Sequence, residues 1–259
     1  MRKRVLITGA SGGIGIELAR TFAKNDYDLI LVARNNEILS KLKNELVNLY
    51  HVDVRIVCID LSLPENSKKL FDAIGYIRVD ILINNAGVGN FGEFYKSDLD
   101  KEENLIMLNI LALVKLTHLY MQQMIKRDNG IIFNIASTAS FQPGPLMANY
   151  YASKAYVLSF TEAIAEEMKN TNVKVIAYCP GPTNTKFLEK ANVRAVKKHN
   201  NFSIYSPKKI ADDIFKTIDK KCVVRIPSKR MRIAIFLQRF IPRKIVTKFV
   251  HTVQSKRKV

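Results

Sequence analysis

Residues 8–15 read Thr-Gly-Ala-Ser-Gly-Gly-Ile-Gly and join a short apolar run at residues 5–8 to a stretch of helical spacing at residues 14–25. Glycine permits backbone angles closed to other residues and lets a diphosphate approach the main chain. The helix N-terminus behind the glycines offers free N–H groups and a partial positive charge, and both favour phosphate. Gly9, Gly13 and Gly15 therefore indicate a dinucleotide-binding turn, although glycines alone would also suit a plain strand-to-helix turn.

Apolar runs alternate with amphipathic stretches along most of the chain. Strand candidates span residues 5–8, 28–33, 54–58, 81–84, 130–136, 174–178 and 223–226, and helical spacing covers residues 14–25, 36–50, 101–126 and 149–169. This order predicts an α/β fold, a doubly wound parallel sheet of about seven strands with helices on both faces. Ligands of such sheets bind beyond the carboxyl ends of the strands, so motifs at those ends are the candidates for function.

The composition is that of an ordinary globular protein, with 47% hydrophobic and 25% charged residues in a chain of 259. Cys58, Cys179 and Cys222 are widely spaced, and the four histidines are scattered, which argues against disulfides and against a metal site. The apolar run near the N-terminus is too short for a secretory signal. Because no 18 apolar residues follow one another, no membrane-spanning helix is expected.

The net charge of +18 is concentrated in the C-terminal part of the chain. After Asp219 there are 13 Lys and Arg residues and no acidic residue, which leaves only +5 for residues 1–219. The body of the protein is thus close to an ordinary charge, and the tail carries the excess.

Four further motifs follow the glycine turn along the chain. They are Asn84-Asn85-Ala86-Gly87, Ser137, Tyr150-x-x-x-Lys154 and Pro180-Gly181. Together with the glycine turn, they resemble the motifs of the short-chain dehydrogenase/reductase family in content and in order. The resemblance covers about residues 3–227 and implies a single Rossmann-fold catalytic domain over residues 1–227. Residues 228–259 lie outside that common core and read as a basic amphipathic helical tail.

The resemblance implies an oxidoreductase that acts on CH–OH groups with a nicotinamide cofactor, in the manner of a carbonyl reductase or a hydroxysteroid dehydrogenase. It also implies which residues contact that cofactor. These are Thr8, Gly9, Ser11, Gly13, Ile14, Gly15, Arg34, Asp60, Leu61, Asn85, Ala86, Gly87, Tyr150, Lys154, Pro180, Gly181, Thr183 and Thr185.

The end of the second strand predicts NADP(H) in preference to NAD(H). NAD-specific sites place an acid there to bind the adenosine ribose, whereas this chain has Ala33 at that place and Arg34 beside it. A carboxylate would repel a 2′-phosphate, and a guanidinium can bind one through paired charged hydrogen bonds. Arg34 taken alone would read as a solvated loop charge, and only its position favours the cofactor role.

Reduction of a ketone requires a proton donor, and a tyrosine needs help because its ordinary pKa is about 10. A nearby ammonium lowers that pKa. Lys154 is four residues after Tyr150, about 40° around a helix, and three residues after Tyr151, about 60° around it. Geometry alone therefore prefers Tyr150 only mildly. The resemblance assigns the proton donor to Tyr150 and leaves Tyr151 as a packing residue.

Two more catalytic residues come from the resemblance alone. Ser137, at the end of the strand over residues 130–136, corresponds to the serine that binds the substrate carbonyl, with Ser140 as a rival nearby. Asn109 corresponds to an asparagine that holds a water between the lysine and solvent. The predicted catalytic set is thus Asn109, Ser137, Tyr150 and Lys154.

The substrate is expected to be a small molecule of lipophilic character, such as a ketosteroid or a 3-oxoacyl compound. A substrate lid is predicted at about residues 183–205. Apolar residues after Ser137, such as Phe141, Leu146 and Met147, favour the lipophilic reading, although they would also serve as plain packing.

The tail leaves two interpretations open. Its apolar residues, interleaved with Lys and Arg and divided at Pro242, would suit peripheral contact with an anionic membrane. They would equally suit packing on the domain or on a partner subunit. We expect a cytoplasmic homodimer or homotetramer that binds no nucleic acid, and the rival functions are a catalytically silent NADP-binding protein and, less favoured, a nucleic-acid-binding protein.

Overall fold

The computed structural model describes residues 2–185, 187, 191 and 205–256. In this part of the chain seven strands form one parallel sheet in the order β3-β2-β1-β4-β5-β6-β7. The strands are β1 Arg4–Thr8, β2 Asp28–Ala33, β3 Val54–Cys58, β4 Ile81–Asn84, β5 Gly130–Ile135, β6 Val173–Tyr178 and β7 Val224–Arg225. The predicted fold is confirmed, and the predicted strand over 223–226 is two residues long.

Helices cover both faces of the sheet. They are α1 Gly13–Lys24, α2 Asn36–Tyr50, α3 Asn66–Ile74, α4 Leu99–Ile106, α5 Leu113–Lys126, α6 Ala148–Glu167, α7 Pro207–Thr217, α8 Lys229–Gln238 and α9 Arg243–Ser255. α3 and α7, which the apolar spacing did not single out, are short helices that pack with α5 and with α1, respectively.

The two faces of the sheet follow from the alternation of side chains along each strand. In β1, Val5 and Ile7 point to the core that α1, α2 and α7 cover, whereas Leu6 points to the core that α3 and α5 cover. All three are fully buried. A parallel sheet buried on both faces needs such continuous apolar strands, which is why the short runs of the sequence were informative.

α4 and α5 join through a π-helical turn, Met107–Ala112, into one helix from Leu99 to Lys126. With a mean hydropathy of 1.4 over 18 residues, it is the one helix of the described residues that is long and apolar enough to cross a membrane by composition. Its apolar side, which includes Leu116, Tyr120 and Met124, is buried in the core against the sheet. Core packing accounts for the buried part of this helix, which is 39% of the apolar window.

The tail folds as the two helices α8 and α9, which lie on either side of Pro242. Ile235 of α8 is buried in a cluster with residues of α6 and β6. Val246, Val250 and Gln254 form the buried side of α9 at a spacing of four residues. The tail is therefore packed against the body of the protein along one side of each helix.

Candidate active site

The predicted motifs meet at one edge of the sheet. β1, β4, β5 and β6 are adjacent and parallel, so their carboxyl ends and the loops that follow them lie side by side. The chain reverses its direction of winding between β1 and β4, and ligands of open α/β sheets bind at such a point.

The turn after β1 has the geometry of a phosphate cradle. Gly9 has a φ of +68°, and a Cβ there would lie 2.9 Å from Ala86 Cα. A Cβ on Gly15 would lie 2.2 Å from the carbonyl oxygen of Gly9, whereas a Cβ on Gly12 would meet nothing within 4 Å. The backbone at Gly12 is thus open to a ligand. The first turn of α1 contains no acid, so its free N–H groups and partial positive charge suit a diphosphate.

Thr8 ties the ends of β1 and β4 together. Its Oγ1 accepts hydrogen bonds from the N–H groups of Asn85 and Ala86, each at 3.0 Å. Asn85 Nδ2 donates to the carbonyl oxygen of Thr8 at 2.9 Å. These bonds fix the loop Asn85-Ala86-Gly87 beside the glycine turn. The predicted cofactor would lie between this loop and the glycine turn.

The predicted adenosine end lies beyond β2 and β3. Ala33, at the end of β2, supplies no carboxylate, and the neighbouring Arg34 side chain is 65% exposed, with Nη1 3.4 Å from Asp60 Oδ2. Burial raises the pKa of Asp60, but hydrogen bonds from Ser62 and the charge of Arg34 outweigh it and hold the pKa below its usual value. An exposed ion pair of this length is weak, so the guanidinium can turn toward a phosphate. Leu61 is buried in the core.

Lys154 and Tyr150 lie in the first two turns of α6, next to the end of β5. Lys154 is only 5% exposed, and its Nζ donates to the carbonyl oxygen of Ile135 at 2.7 Å. Burial lowers the pKa of Lys154 to about 8. Burial also raises the pKa of Tyr150 to about 12, against a hydrogen bond with Ser137 that lowers it. The residues thus carry perturbed pKa values, as acid–base groups in active sites commonly do.

The structure separates the two candidate serines. Ser137 hydrogen-bonds Tyr150, and its Oγ also accepts from the N–H of Ala139 at 3.1 Å. Ser140 is buried, and its Oγ donates to the carbonyl oxygen of Lys154 at 2.7 Å. Ser137 is therefore placed to contact a substrate together with Tyr150, and Ser140 instead supports the backbone of α6.

Asn109 lies in the π-helical turn and is 1% exposed. Its Oδ1 accepts from the N–H of Val88, and its Nδ2 donates to the carbonyl oxygen of Val88, each at 2.9 Å. The second Nδ2 hydrogen reaches Ser153 Oγ at 3.1 Å. Both amide hydrogens are therefore engaged within the protein, so the side chain fixes the backbone after Gly87. If Asn109 binds a water as the resemblance implies, the water must donate its hydrogen bond to an oxygen of Asn109.

Tyr151 lies beside Tyr150, with ring centroids 6.0 Å apart, and packs against the same apolar cluster as that residue. A Cβ on Gly144 would lie 2.1 Å from Tyr151 Cδ2, so this ring fills the space beside the Gly144 backbone. Its Oη accepts a hydrogen bond of 2.7 Å from Gln254 Nε2. This placement fits the packing role expected from the sequence.

An apolar cluster adjoins Tyr150. Phe91, Met147 and Ala191 are buried in one cluster, with Leu146 packed against it. The Phe187 ring lies 5.2 Å from the Tyr150 ring, between centroids. Leu146 adopts a φ of +65°, a strained conformation for this residue of the kind that occurs at functional sites.

Not all of the residues predicted to contact the substrate belong to this cluster. Phe141 instead packs in the cluster that contains Ile235 of α8. Most of the predicted lid, residues 186, 188–190 and 192–204, lies outside the described residues.

The segment after β6 reaches back to the glycine turn. The carbonyl oxygen of Pro180 accepts from the N–H of Thr138 at 2.9 Å, and a Cβ on Gly181 would meet nothing within 4 Å. Thr183 Oγ1 donates to the carbonyl oxygen of Gly181 at 2.9 Å. A Cβ on Gly13 would lie 2.6 Å from Thr185 Cγ2, so this threonine lies directly over the glycine turn. Ser11 and Ile14, also predicted contacts, belong to that turn and to α1.

Two residues near the site were not found from the sequence. Glu102 of α4 is 7% exposed and accepts from Asn90 Nδ2 and Asn149 Nδ2, each at 2.8 Å. It thereby ties the loop after β4 to the start of α6. Gln254 of α9, 2% exposed, bonds Tyr151, and its Oε1 has no hydrogen-bond partner in the described part of the chain. No motif marks either residue, because both contacts join distant parts of the chain.

Within the described residues, no cluster of His, Cys, Asp and Glu could hold a metal ion. The site that the structure does assemble is a glycine turn suited to a phosphate ligand, next to a Ser–Tyr–Lys group and an apolar cluster.

Comparison with known proteins finds a matching family model and several relatives. The family model described as short chain dehydrogenase matches residues 3–195. A 7beta-hydroxysteroid dehydrogenase of Mediterraneibacter gnavus is 30% identical over 225 residues, which are 85% of this chain and 84% of that relative. A very-long-chain 3-oxoacyl-CoA reductase of Mus musculus is 30% identical over 185 residues, 70% of this chain and 59% of that relative. The solved short-chain dehydrogenase of Sphingobium yanoikuyae in complex with NADPH is 30% identical, with a TM-score of 0.83 over 92% of this chain and 94% of its own.

Proposed function

The chain belongs to the short-chain dehydrogenase family, and we propose that it transfers hydride between NADP(H) and the carbonyl or secondary alcohol of a bulky lipophilic substrate. The observation that carries this proposal is the group of Ser137, Tyr150 and Lys154 beside an apolar cluster. As a member of this family it is an oxidoreductase that acts on CH–OH groups with a nicotinamide cofactor and a small-molecule substrate.

The proposed mechanism follows from the positions of these side chains. When bound, the reduced nicotinamide supplies the hydride. Ser137 and Tyr150 share a hydrogen bond, so a carbonyl oxygen placed between them would receive a hydrogen bond from each. Tyr150 gives its proton to that oxygen as negative charge develops there. The Lys154 ammonium, close by on the same helix face, favours the phenolate that remains.

The substrate class is proposed from the apolar cluster beside Tyr150 and from the names of the relatives. Phe91, Leu146, Met147 and Phe187 give the space beside Tyr150 an apolar lining suited to a sterol ring or an acyl chain. Relatives named for hydroxysteroids and for very-long-chain 3-oxoacyl-CoA act on molecules of that kind. A panel of ketosteroids, 3-oxoacyl thioesters and small aldehydes, assayed for kcat/KM with NADPH, tests this proposal. Preference for the small polar carbonyls would refute it, and inactivity with all would favour a silent NADP-binding protein.

The preference for NADP(H) is proposed from Arg34 and Ala33. Replacing Arg34 by Ala should weaken NADPH binding by about 10- to 150-fold, because a charged hydrogen bond contributes about 1.5–3 kcal/mol. Binding of NADH, which lacks the 2′-phosphate, should change little. Calorimetric titration of both cofactors measures the two effects. Arg55→Ala, which removes an exposed arginine in β3, is the control, and equal losses for both cofactors in Arg34→Ala would contradict the assignment.

We propose that Gln254 fixes the position of Tyr151 and thereby the apolar cluster beside the substrate. Gln254→Met should raise KM for a bulky ketone by about 5- to 100-fold, because the buried Tyr151 contact loses a hydrogen bond. The Kd for NADPH should not change, since the cofactor cradle is formed by other loops. Steady-state kinetics with one bulky and one small ketone gives the comparison. Gln238→Met, which removes a bond from the same tail to the carbonyl oxygen of Phe141, is the matched control.

The homodimer or homotetramer and the cytoplasmic location expected from the sequence stay predictions. Light scattering of the purified protein measures the first.

A further inference from the structure

The outer side of α8 and α9 exposes large apolar side chains. In the described part of the chain, seven such residues between positions 233 and 249 are 45–73% exposed, among them Phe236, Leu237, Phe240, Ile245 and Phe249. These seven lie within 17 residues, whereas the other exposed large apolar residues are spread over the rest of the fold. An apolar patch of this kind on a protein surface indicates an interaction site. We call the outer side of residues 229–249 the tail surface.

The apolar residues of the tail surface are not needed for packing the tail on the body. At about 100° per residue, Ile233 and Leu237 lie on the side of α8 opposite to the buried Ile235, and Phe236 lies on the flank, about 100° from it. Ile235 and the half-buried Met231 already provide the contact with the body. The intramolecular interpretation of the tail therefore explains one side of α8 and leaves the other side without a function.

The charge of the tail surface is of one sign. Arg230, Arg232 and Arg239 flank the apolar side of α8, and there is no acidic residue after Asp219 to pair with them. α8 and α9 also begin with basic residues and have no acid in the first turn, which opposes the helix dipole. A negatively charged partner would offset both the repulsion among these cations and their unfavourable position at the helix N-termini.

We propose that the tail surface docks this protein on an anionic lipid bilayer, with the Phe, Ile and Leu side chains inserted among the lipids and the Arg and Lys side chains at the phosphates. A helix of this composition can lie in the plane of a membrane interface, and cations near an anionic leaflet are attracted to it. Only a bilayer offers an apolar layer and a negatively charged layer side by side.

A second copy of the chain and a nucleic acid fit the tail surface less well. A two-fold contact of the tail surface with itself would bring identical sets of cations together, with no acid after Asp219 on either side. A nucleic acid would pair with the cations but would leave exposed aliphatic residues such as Ile233 and Ile245 without a partner.

The helices that carry the tail surface contact the substrate side of the site through their inner side. Gln238 Nε2 at the end of α8 donates to the carbonyl oxygen of Phe141, four residues after Ser137. Gln254 at the end of α9 donates to Tyr151, next to Tyr150. A bilayer at the tail surface would therefore be separated from the apolar cluster by α8 and α9.

Sedimentation with vesicles tests the docking. The full-length protein is mixed with vesicles of phosphatidylcholine alone and of phosphatidylcholine with phosphatidylglycerol, and the bound fraction is measured. We expect at least tenfold stronger partition to the anionic vesicles. The triple variant Phe236→Ser, Phe240→Ser and Phe249→Ser should lose at least tenfold of this binding. The variant Phe94→Ser and Tyr95→Ser, which changes exposed aromatic residues elsewhere, is the matched control and should bind as the wild type does.

A charge variant, the phenylalanine variant and light scattering distinguish a bilayer from other occupants of the tail surface. Arg232→Gln, Arg239→Gln and Lys244→Gln together should cost about 100-fold in partition, at about fivefold for each cation near an anionic surface. Absence of wild-type binding to anionic vesicles would overturn the proposal. So would vesicle binding that the phenylalanine variant leaves unchanged, which indicates a general polyanion site such as one for nucleic acid. A dimer that the same variant converts to monomer in light scattering would assign the tail surface to a second copy.

Discussion

Tyr150→Phe should lower kcat for carbonyl reduction by about 10³-fold or more, with the Kd for NADPH unchanged. The change removes one oxygen, the proposed proton donor, and general acid catalysis contributes about 10²- to 10⁴-fold. The phenyl ring keeps the contact with Phe187, whose ring centroid lies 5.2 Å away, so the packing of the apolar cluster should persist. Turnover with a saturating ketone and calorimetric titration of NADPH measure the two quantities.

Tyr151→Phe is the control for this prediction, because it removes the neighbouring hydroxyl on the same helix. That hydroxyl accepts a hydrogen bond from Gln254 Nε2, which also lies 3.9 Å from Met147 Sδ. We expect kcat within about tenfold of the wild type, with the main effect on KM. If the Tyr151 variant were inactive and the Tyr150 variant active, the proton donor would be assigned to the wrong tyrosine.

Lys154→Met should lower kcat by about 100-fold and move the pH dependence of alcohol oxidation upward. Oxidation needs Tyr150 as the phenolate, so the rate rises as pH approaches the pKa of Tyr150. Burial raises this pKa to about 12 in the protein without ligands, and the Lys154 ammonium is proposed to lower it in the working enzyme. Without the ammonium, the midpoint of the oxidation profile should rise by about 1–3 pH units.

The matched control is Lys169→Met, which removes an exposed lysine just beyond the same helix, 2.5 Å from Glu166. Its profile should coincide with that of the wild type. The pKa of Lys154 itself is lowered to about 8 by burial, so in the protein without ligands its charge is lost as pH rises above 8. An unchanged oxidation midpoint in Lys154→Met would show that Lys154 does not act on the pKa of Tyr150.

The sheet could be predicted from the sequence because its strands are buried on both faces and appear as short apolar runs. All seven strand candidates agree with the structure to within one residue at each end. β7 is weaker, since it pairs with the rest of the sheet only through β6 and keeps two residues. The π-helical turn around Asn109 could not be predicted, because its apolar spacing continues that of the helices on either side.

The candidate site was predictable where it depends on local motifs. The glycine turn, Ser137 and the pair Tyr150 and Lys154 each lie at a strand end or in the helix after it, so chain order alone brings them to one edge of the sheet. The resemblance already favoured Ser137 over Ser140, and the structure adds a physical reason, because the Ser140 hydroxyl is bonded to the backbone of α6.

Contacts between distant segments were beyond the reach of the sequence. Gln254 contacts Tyr151 across 103 positions, and Glu102 contacts Asn149 across 47. Nothing in the local pattern around either residue distinguishes it from a solvated polar side chain. The tail was seen to be basic and amphipathic, but only its packing shows that one side contacts the body while the other faces outward.

The central claim is that this protein moves hydride between NADPH and a lipophilic carbonyl, and isotope transfer tests it most directly. The enzyme is incubated with NADPH that carries deuterium at the transferable position and with the most reactive ketone of the panel, and the alcohol is analysed by mass spectrometry. We predict one deuterium on the former carbonyl carbon, and none with Tyr150→Phe in the same time. Oxidation of the cofactor with no deuterium in the product, or no alcohol from any lipophilic ketone, would contradict the claim.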